Sequence, residues 1–304
     1  MKLYKYIGES ILGKMFETEG KISIKCSYPR DYNDPYELFV TLDNYDDPDV
    51  VAYFNELVSN IPQLPTTCFS TRPDIIPMWA HYGNQSKGFV IELDEDILKN
   101  HFPDVAIKNV DYKDTPEPLD SYQISYALAR GKFRHTLWAQ QNTINAAYFS
   151  KNSCWSYEHE RRLVVNNELA DLVGASMILH IPQDCVTSII SGPFSSNKDN
   201  KLCGSILDRI KCLHFNMRIG KLSVKPFFTC QELNSYIFND GNIERTTAHC
   251  LSCGEPLDPA TESNECHWCM MTDNDKINAA RSNPLRVLHE LGLLQSYLNK
   301  TKNI

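Results

Sequence analysis

Apolar positions recur along this chain at two periods. Leu3-Tyr-Lys-Tyr-Ile7, Thr67-Cys-Phe-Ser70, Gly88-Phe-Val-Ile-Glu-Leu93, Met177–Ile181, Val186–Ser191 and Leu222–Phe228 are short runs that predict strands. Asp49–Ile61 instead places Val50, Tyr53, Phe54, Leu57 and Ile61 at helical spacing behind an acidic cap. Pro77–Tyr82 predicts a helical turn begun by a proline and ended at Gly83-Asn84. Glu95–Asn100 predicts a short helix, Ser121–Ser150 one or two helices, and Asn200–Leu213 a further one. Glu158–Val165 predicts a strand leaving a turn at Trp155-Ser-Tyr157, which would put Glu158 and Glu160 on one face. Strands and helices alternate irregularly, so the expected class is α+β rather than a doubly wound sheet. No G-x-G-x-x-G follows a strand and no Walker loop is present, which argues against a Rossmann unit or a P-loop.

The pattern breaks at Asn239-Asp-Gly-Asn242, dividing a domain of residues 1–240 from a module of residues 245–304. The module ends in a predicted helix, Pro284–Leu298, with Leu285, Leu288, Leu291 and Leu294 to one side and Asn283 as its cap. Packing on its own module is the expected fate of that side. Gripping a partner such as an antitoxin or chaperone in a groove is the alternative.

Cysteine spacing gives the module its chemistry. Cys250-Leu-Ser-Cys253 and Cys266-His-Trp-Cys269 are two C-x-x-C pairs separated by twelve residues. Two residues between thiolates let one turn present both sulfurs to a tetrahedral Zn²⁺, and two such turns close the shell with no open position. A structural zinc ribbon follows, in which Gly254 suits the left-handed conformation such turns need. His249 and His267 flank the ligands. Seven other cysteines are scattered singly, as buried thiols in a reducing compartment would be. No apolar run reaches the roughly 20 residues of a membrane span, and the first residues lack a signal-peptide core, so a cytoplasmic protein is expected. A net charge of −8 gives the chain no global basic footprint for nucleic acid, although one local groove would suffice.

Three clusters combine aromatic and polar types suited to chemistry: Tyr28-Pro-Arg-Asp-Tyr-Asn-Asp-Pro35, Phe69-Ser-Thr71 with Met78-Trp-Ala-His-Tyr82, and Lys151 to Arg162. Taken in order, Leu3–Tyr6, Asn33-Asp-Pro35, Met78-Trp-x-His-Tyr82, Lys87-Gly-Phe-x-Ile91 and Trp155-x-Tyr-Glu-x-Glu-x-Arg162 resemble a widespread bacterial family of unknown function. That family is similar to ADP-ribosyltransferases, and some members act as toxins in phage-defence operons. The resemblance covers about residues 1–230 and leaves the ribbon as an addition.

It implies an ADP-ribosyltransferase-like fold acting on NAD⁺, with a late glutamate that steadies the oxocarbenium-like ribose. Glu160 is the first candidate for that carboxylate, beside Arg162, and Glu158 the second. Tyr28, Trp79 and Tyr82 are the candidate nicotinamide-stacking rings. His81 is assigned to the adenosine ribose or a phosphate, Arg30 to the diphosphate, and Ser70 to the nicotinamide ribose. Transferases carry Arg or His on the first strand, where this chain has Lys5 between Tyr4 and Tyr6, which shifts the NAD⁺-holding role toward Tyr28 and His81. The ribbon suggests a nucleic-acid acceptor, RNA before protein. Two other classes compete: a non-catalytic binding module whose aromatics are only core, and a metal-dependent nuclease using Glu92, Asp94 and Glu160.

Overall fold

The computed structural model describes residues 1–43, 47–114, 119–230, 234–260 and 263–301. The chain opens with strand β1 (Lys2–Ile7), helix α1 (Glu9–Met15) and strand β2 (Lys21–Cys26). Helix α2 (Pro48–Ser59), β3 (Thr66–Ser70), α3 (Ile76–His81), β4 (Phe89–Asp94) and α4 (Glu95–His101) follow. Short strands β5 (Ala106–Asn109) and β6 (Asp111–Lys113) lead to a helical pair, α5 (Ser121–Arg130) and α6 (Phe133–Tyr148). Next come β7 (Ser150–Asn152), β8 (Glu160–Val164), β9 (Ala170–Val173), β10 (Ser176–Pro182) and β11 (Val186–Ser191). Helix α7 (Asn197–Ile210), β12 (Leu213–Arg218), β13 (Phe227–Cys230), β14 (Asn234–Asn239) and β15 (Asn242–Arg245) complete the sheets. Helices α8 (Asp273–Arg281), α9 (Pro284–Glu290) and α10 (Leu294–Thr301) end the described chain.

The class is α+β. A ten-stranded sheet runs in the order β15-β14-β13-β12-β11-β4-β1-β3-β8-β5, antiparallel except where β11 meets β12. A three-stranded sheet, β2-β10-β9, covers one of its faces. Burial on both faces explains β4, whose Phe89 to Leu93 are all buried, as a central strand demands. Leu3 and Ile7 of β1 face the core shared with β2, β10, α1, α4 and α7. Tyr4 and Tyr6 face the opposite core, with Trp79, Val90, Phe215 and Phe228. Helices α2, α5 and α6 close a third cluster around Phe54, Leu57, Ile124 and Ala139. Strand β1 meets β4 over six register pairs but meets β3 at one, Tyr4 opposite Ser70.

The structure corrects four sequence expectations. Glu158 lies outside strand β8: it ends a 3₁₀ turn, Ser153–Glu158, and His159 in the left-handed region (φ 44°) swings the chain into the strand. Leu222 to Lys225 is loop, and only Phe227–Cys230 forms the strand. Asn239-Asp-Gly-Asn242 is no boundary break but the tight turn of a hairpin, with Asp240 and Gly241 both at positive φ. The sheet therefore continues to Arg245. The predicted terminal helix is two helices, α9 and α10, parted at Gly292 (φ 68°). No residue of α9 is buried, and Leu285 and Leu291 stand 54% and 65% exposed, so this apolar face is not packed on the ribbon. Among the described residues no helix is long and apolar enough to cross a membrane.

Candidate active site

Where β1 parts from β3, a cavity of about 200 Å³ opens, walled by β1, β3, the Tyr32-Asn33 loop, α3 and the turn into β8. Tyr4, Ser70 and Glu160 stand on one rung across β1, β3 and β8. Residues on one rung share a face, so three strands deliver three side chains to one place. Lys5, Lys25, Tyr32, Asn33, Cys68, Tyr82, Lys151 and Glu158 are among the other polar residues of the lining.

Charge is concentrated at the cavity floor. Lys151, on β7, donates to Glu158 Oε2 at 2.6 Å and to Glu160 Oε2 at 3.0 Å. Glu160 Oε1 accepts from Arg162 Nε at 2.8 Å, and the remaining nitrogens of this fully buried guanidinium reach Glu37 at 2.8 and 3.0 Å and the Tyr148 carbonyl at 2.8 Å. Tyr82 donates its hydroxyl to Glu158 Oε1 at 2.7 Å. Ser70 Oγ donates to the Glu158 carbonyl at 2.7 Å and accepts from the Arg72 amide, which fixes the turn that carries Glu158. Burial alone would push Glu160 up, but Arg162 and Lys151 outweigh it and hold the carboxyl well below the usual carboxylate range. Burial likewise works against charge on Lys151, yet the two glutamates prevail and keep its ammonium protonated. Three carboxylates (Glu37, Glu158, Glu160) and two cations (Lys151, Arg162) interlock here, while Lys5 and Lys25 bring positive charge to other parts of the lining. An ionised carboxylate fixed at this spot can steady a ligand atom that becomes positive next to it.

Lys5 occupies an apolar alternation between Leu3 and Ile7 and reaches the gap to donate to Thr67 Oγ1 and the Cys68 carbonyl, both at 2.8 Å. Its residual accessible surface belongs to the cavity. Burial lowers its pKa, with partial relief from Cys68, Cys26 and Glu160. Burial also pushes the Cys68 thiol up to about 12 and the Tyr82 phenol above its ordinary value, so both stay protonated near neutrality.

Of the residues singled out from sequence, Glu158, Glu160, Ser70 and Tyr82 meet here. Four others lie outside the lining. Trp79 is fully buried core, its indole N–H spent on the Pro73 carbonyl at 2.7 Å, so it offers no ring to a ligand. Tyr28 turns away to Asn167 Oδ1 and carries the exposed Arg30 guanidinium 5.1 Å over its ring. His81 is exposed and packs against Tyr82 and Tyr157. The cavity's own aromatic residues are Tyr4, Tyr6, Tyr32, Phe69 and Tyr82. Glu37 has no sequence signal pointing to Arg162. Lys5 has one: a lysine where the alternation calls for an apolar residue.

Glu92, Asp94 and Glu160 do not converge as a nuclease would need. Glu92 accepts from Thr187 and Ser188, while Asp94 caps α4 and pairs with Lys2. Among the described residues no candidate metal group combines them.

The four ribbon cysteines do converge. Their sulfurs lie within 4.8 Å of one another, and Cys253 and Cys266 are 3.9 Å apart. Tetrahedral Zn²⁺–thiolate bonds of about 2.3 Å put sulfurs about 3.8 Å apart, so the donor set and spacing fit zinc. The Cys266 amide donates to Cys250 Sγ at 3.3 Å, favouring the thiolate, and Gly254 takes the left-handed conformation (φ 77°). Neither His249 nor His267 joins the group. The ribbon is tied to the sheet domain by Glu255, whose buried carboxylate accepts from the amides of Lys221 and Leu222 at 2.7 and 2.6 Å.

Residues 78–163 match the family described as "Protein of unknown function (DUF2971)", a span that holds Tyr82, Lys151, Glu158, Glu160 and Arg162. No curated protein and no solved structure matches the chain.

Proposed function

We propose that this chain is a mono-ADP-ribosyltransferase that takes NAD⁺ as substrate and modifies RNA, acting as a bacterial toxin or phage-defence effector. The observation that carries the reading is the cavity at the β1–β3 gap. There the first-strand residue Lys5, the strand-end Ser70 and the late Glu158 and Glu160, all at positions to which the transferase resemblance points, line one cavity.

The chemistry follows from the charges. The bond between ribose C1′ and the nicotinamide nitrogen breaks, its electron pair leaves with neutral nicotinamide, and the ribose becomes oxocarbenium-like. Glu160, kept ionised by Arg162 and Lys151, accepts from the ribose 2′-hydroxyl and offsets the developing charge. Glu158, oriented by Tyr82, is the second carboxylate within reach. Tyr32 and Tyr82 supply faces for the nicotinamide ring. Lys5 and Lys25 put two cations on the wall for the diphosphate. The acceptor then bonds to C1′ and gives up its proton. At about 200 Å³ the cavity takes the nicotinamide riboside half, with the adenosine half toward its mouth.

The test is nicotinamide release by the full chain given NAD⁺ and total RNA, with transfer followed from adenine-labelled NAD⁺. Glu160→Gln and Glu158→Gln are each expected to lower release at least about a hundredfold while the fold is kept. A zinc-replete protein that frees no nicotinamide with either total RNA or cell lysate rules the reading out.

A further inference from the structure

The helical pair α5–α6 presents a surface that the cavity chemistry does not use. Residues 121–157 contain no Asp or Glu, in a chain that carries 38 of them and a net charge of −8. On α5, Tyr122, Tyr126 and Arg130 follow one another at four-residue spacing, so they form a stripe along one side. On α6, Arg134 and Trp138 do the same. Together with His135 these side chains border a shallow groove of about 480 Å³, Arg130 lying over Tyr126 at its edge. The Tyr122 and Tyr126 rings are inclined by 30° at 6.5 Å, the Arg130 guanidinium lies 5.2 Å from the Tyr126 ring, and His135 meets that ring edge-on at 5.0 Å. Tyr122 is 74% and Trp138 45% exposed. Water-facing rings of this size are costly to leave bare. Asp43 and Asp120 sit at the N-terminal end of α5, but the two helices themselves carry no acid, and Arg130, Lys132 and Arg134 at their junction suit an anionic polymer.

We propose that the α5–α6 face is a docking site for single-stranded RNA, whose bases stack on Tyr122, Tyr126 and Trp138 while Arg130 and Arg134 meet its phosphates. An apolar protein partner would leave those guanidinium groups without counter-charge, whereas a flexible polyanion with flat bases answers both features. Position supports the same use. Helix α6 runs from this face into β7, which delivers Lys151 to the cavity. At about 1.5 Å per residue, Trp138 lies roughly 15 Å from the Tyr148 end of the helix, within the reach of a bound strand. The choice of RNA rests on the proposed acceptor, but the binding itself needs no NAD⁺.

The experiment is fluorescence anisotropy of the full chain, without NAD⁺, on a labelled 20-nucleotide oligouridylate, with the same-length oligothymidylate beside it. The intact protein is expected to bind the RNA, and Tyr122→Ala and Trp138→Ala each to weaken binding about tenfold, with Tyr122→Phe retaining it. Arg130→Gln with Arg134→Gln should flatten the dependence of log K on log salt by roughly 0.7 per lost phosphate contact. All sites are exposed, and unchanged thermal unfolding of the variants verifies the fold. RNA binding equal in the intact protein and the aromatic variants, no RNA binding at low salt, or binding of the DNA alone overturns the proposal. Failure of nicotinamide release alone would leave this binding result standing.

Discussion

The ammonium of Lys5 donates to the carbonyl of Cys68 at 2.8 Å across the gap between β1 and β3. A side chain here takes a role that ladder bonds play elsewhere in the sheet, and burial lowers its pKa as a consequence. Below the ordinary lysine value the unfolded chain binds more protons than the folded one, so this residue's contribution to stability grows as pH rises toward 10.5. Replacing it by Met removes that slope. Urea midpoints of the intact protein and Lys5→Met, measured from pH 7 to 10, should move in favour of the intact protein as pH increases. Parallel curves would refute the burial argument.

Arg162 tests the floor of the cavity. Its guanidinium is fully buried and compensates both Glu37 and Glu160. Arg162→Met strips Glu37 of its guanidinium partner and leaves Glu160 with Lys151 alone, which should cost about 3–5 kcal/mol in chemical denaturation. Adding Glu37→Gln should recover part of the loss, since a neutral amide tolerates the site better than an unpaired charge.

Acid should find the same network. The folded Glu160 carboxyl is held far below its ordinary value of 4.5, at about 2. A depressed carboxylate contributes stability that is fully present above the ordinary value and disappears as pH falls through the folded one. The stability advantage of the intact protein over Glu160→Gln should therefore be constant from pH 7 to about 5 and shrink between pH 4.5 and 2. Denaturation curves at stepped pH give the comparison. A gap that persists at pH 2 would show that the ion pairs contribute nothing.

Zinc removal should separate module from sheet domain. A strong chelator, or Cys253→Ser, is expected to release one zinc per chain and expose residues 246–272 to protease, while the sheet domain unfolds at an unchanged denaturant midpoint. Metal content and limited proteolysis read this out. Gly220→Ala attacks the tether instead: a Cβ there would sit 2.2 Å from Glu255 Oε1, so the carboxylate must leave the Lys221 and Leu222 amides. The ribbon should keep its zinc yet become more protease-sensitive.

Period and punctuation made most elements legible in the sequence. The alternation Leu3 to Ile7 and the run Phe89 to Leu93, apolar except for Glu92, correspond to β1 and β4 within a residue, because burial on one or both faces leaves a pattern in the residues themselves. The Asp-Gly between Phe238 and Ile243 looked like an interruption when it was a hairpin signal, since the alternation resumes beyond it. At the site, Glu158 and Glu160 were recognisable by type, but the left-handed turn at His159 that aims them is a property of packing. Trp79 misled for a simple reason. An indole whose N–H finds a backbone carbonyl is content in the core, and its sequence neighbours do not show which partner it has found. The pairing of Arg162 with Glu37 joins positions 125 residues apart and leaves no local trace.

In the ten-stranded sheet the seam between β1 and β3, which parts seven strands from three, holds the single rung Tyr4–Ser70. Beside that rung the Lys5 ammonium answers the Cys68 carbonyl, while β1 and β4 pair over six registers. Away from that rung a cavity rather than a ladder lies between the two strands, so the protein's largest sheet frames its own crevice.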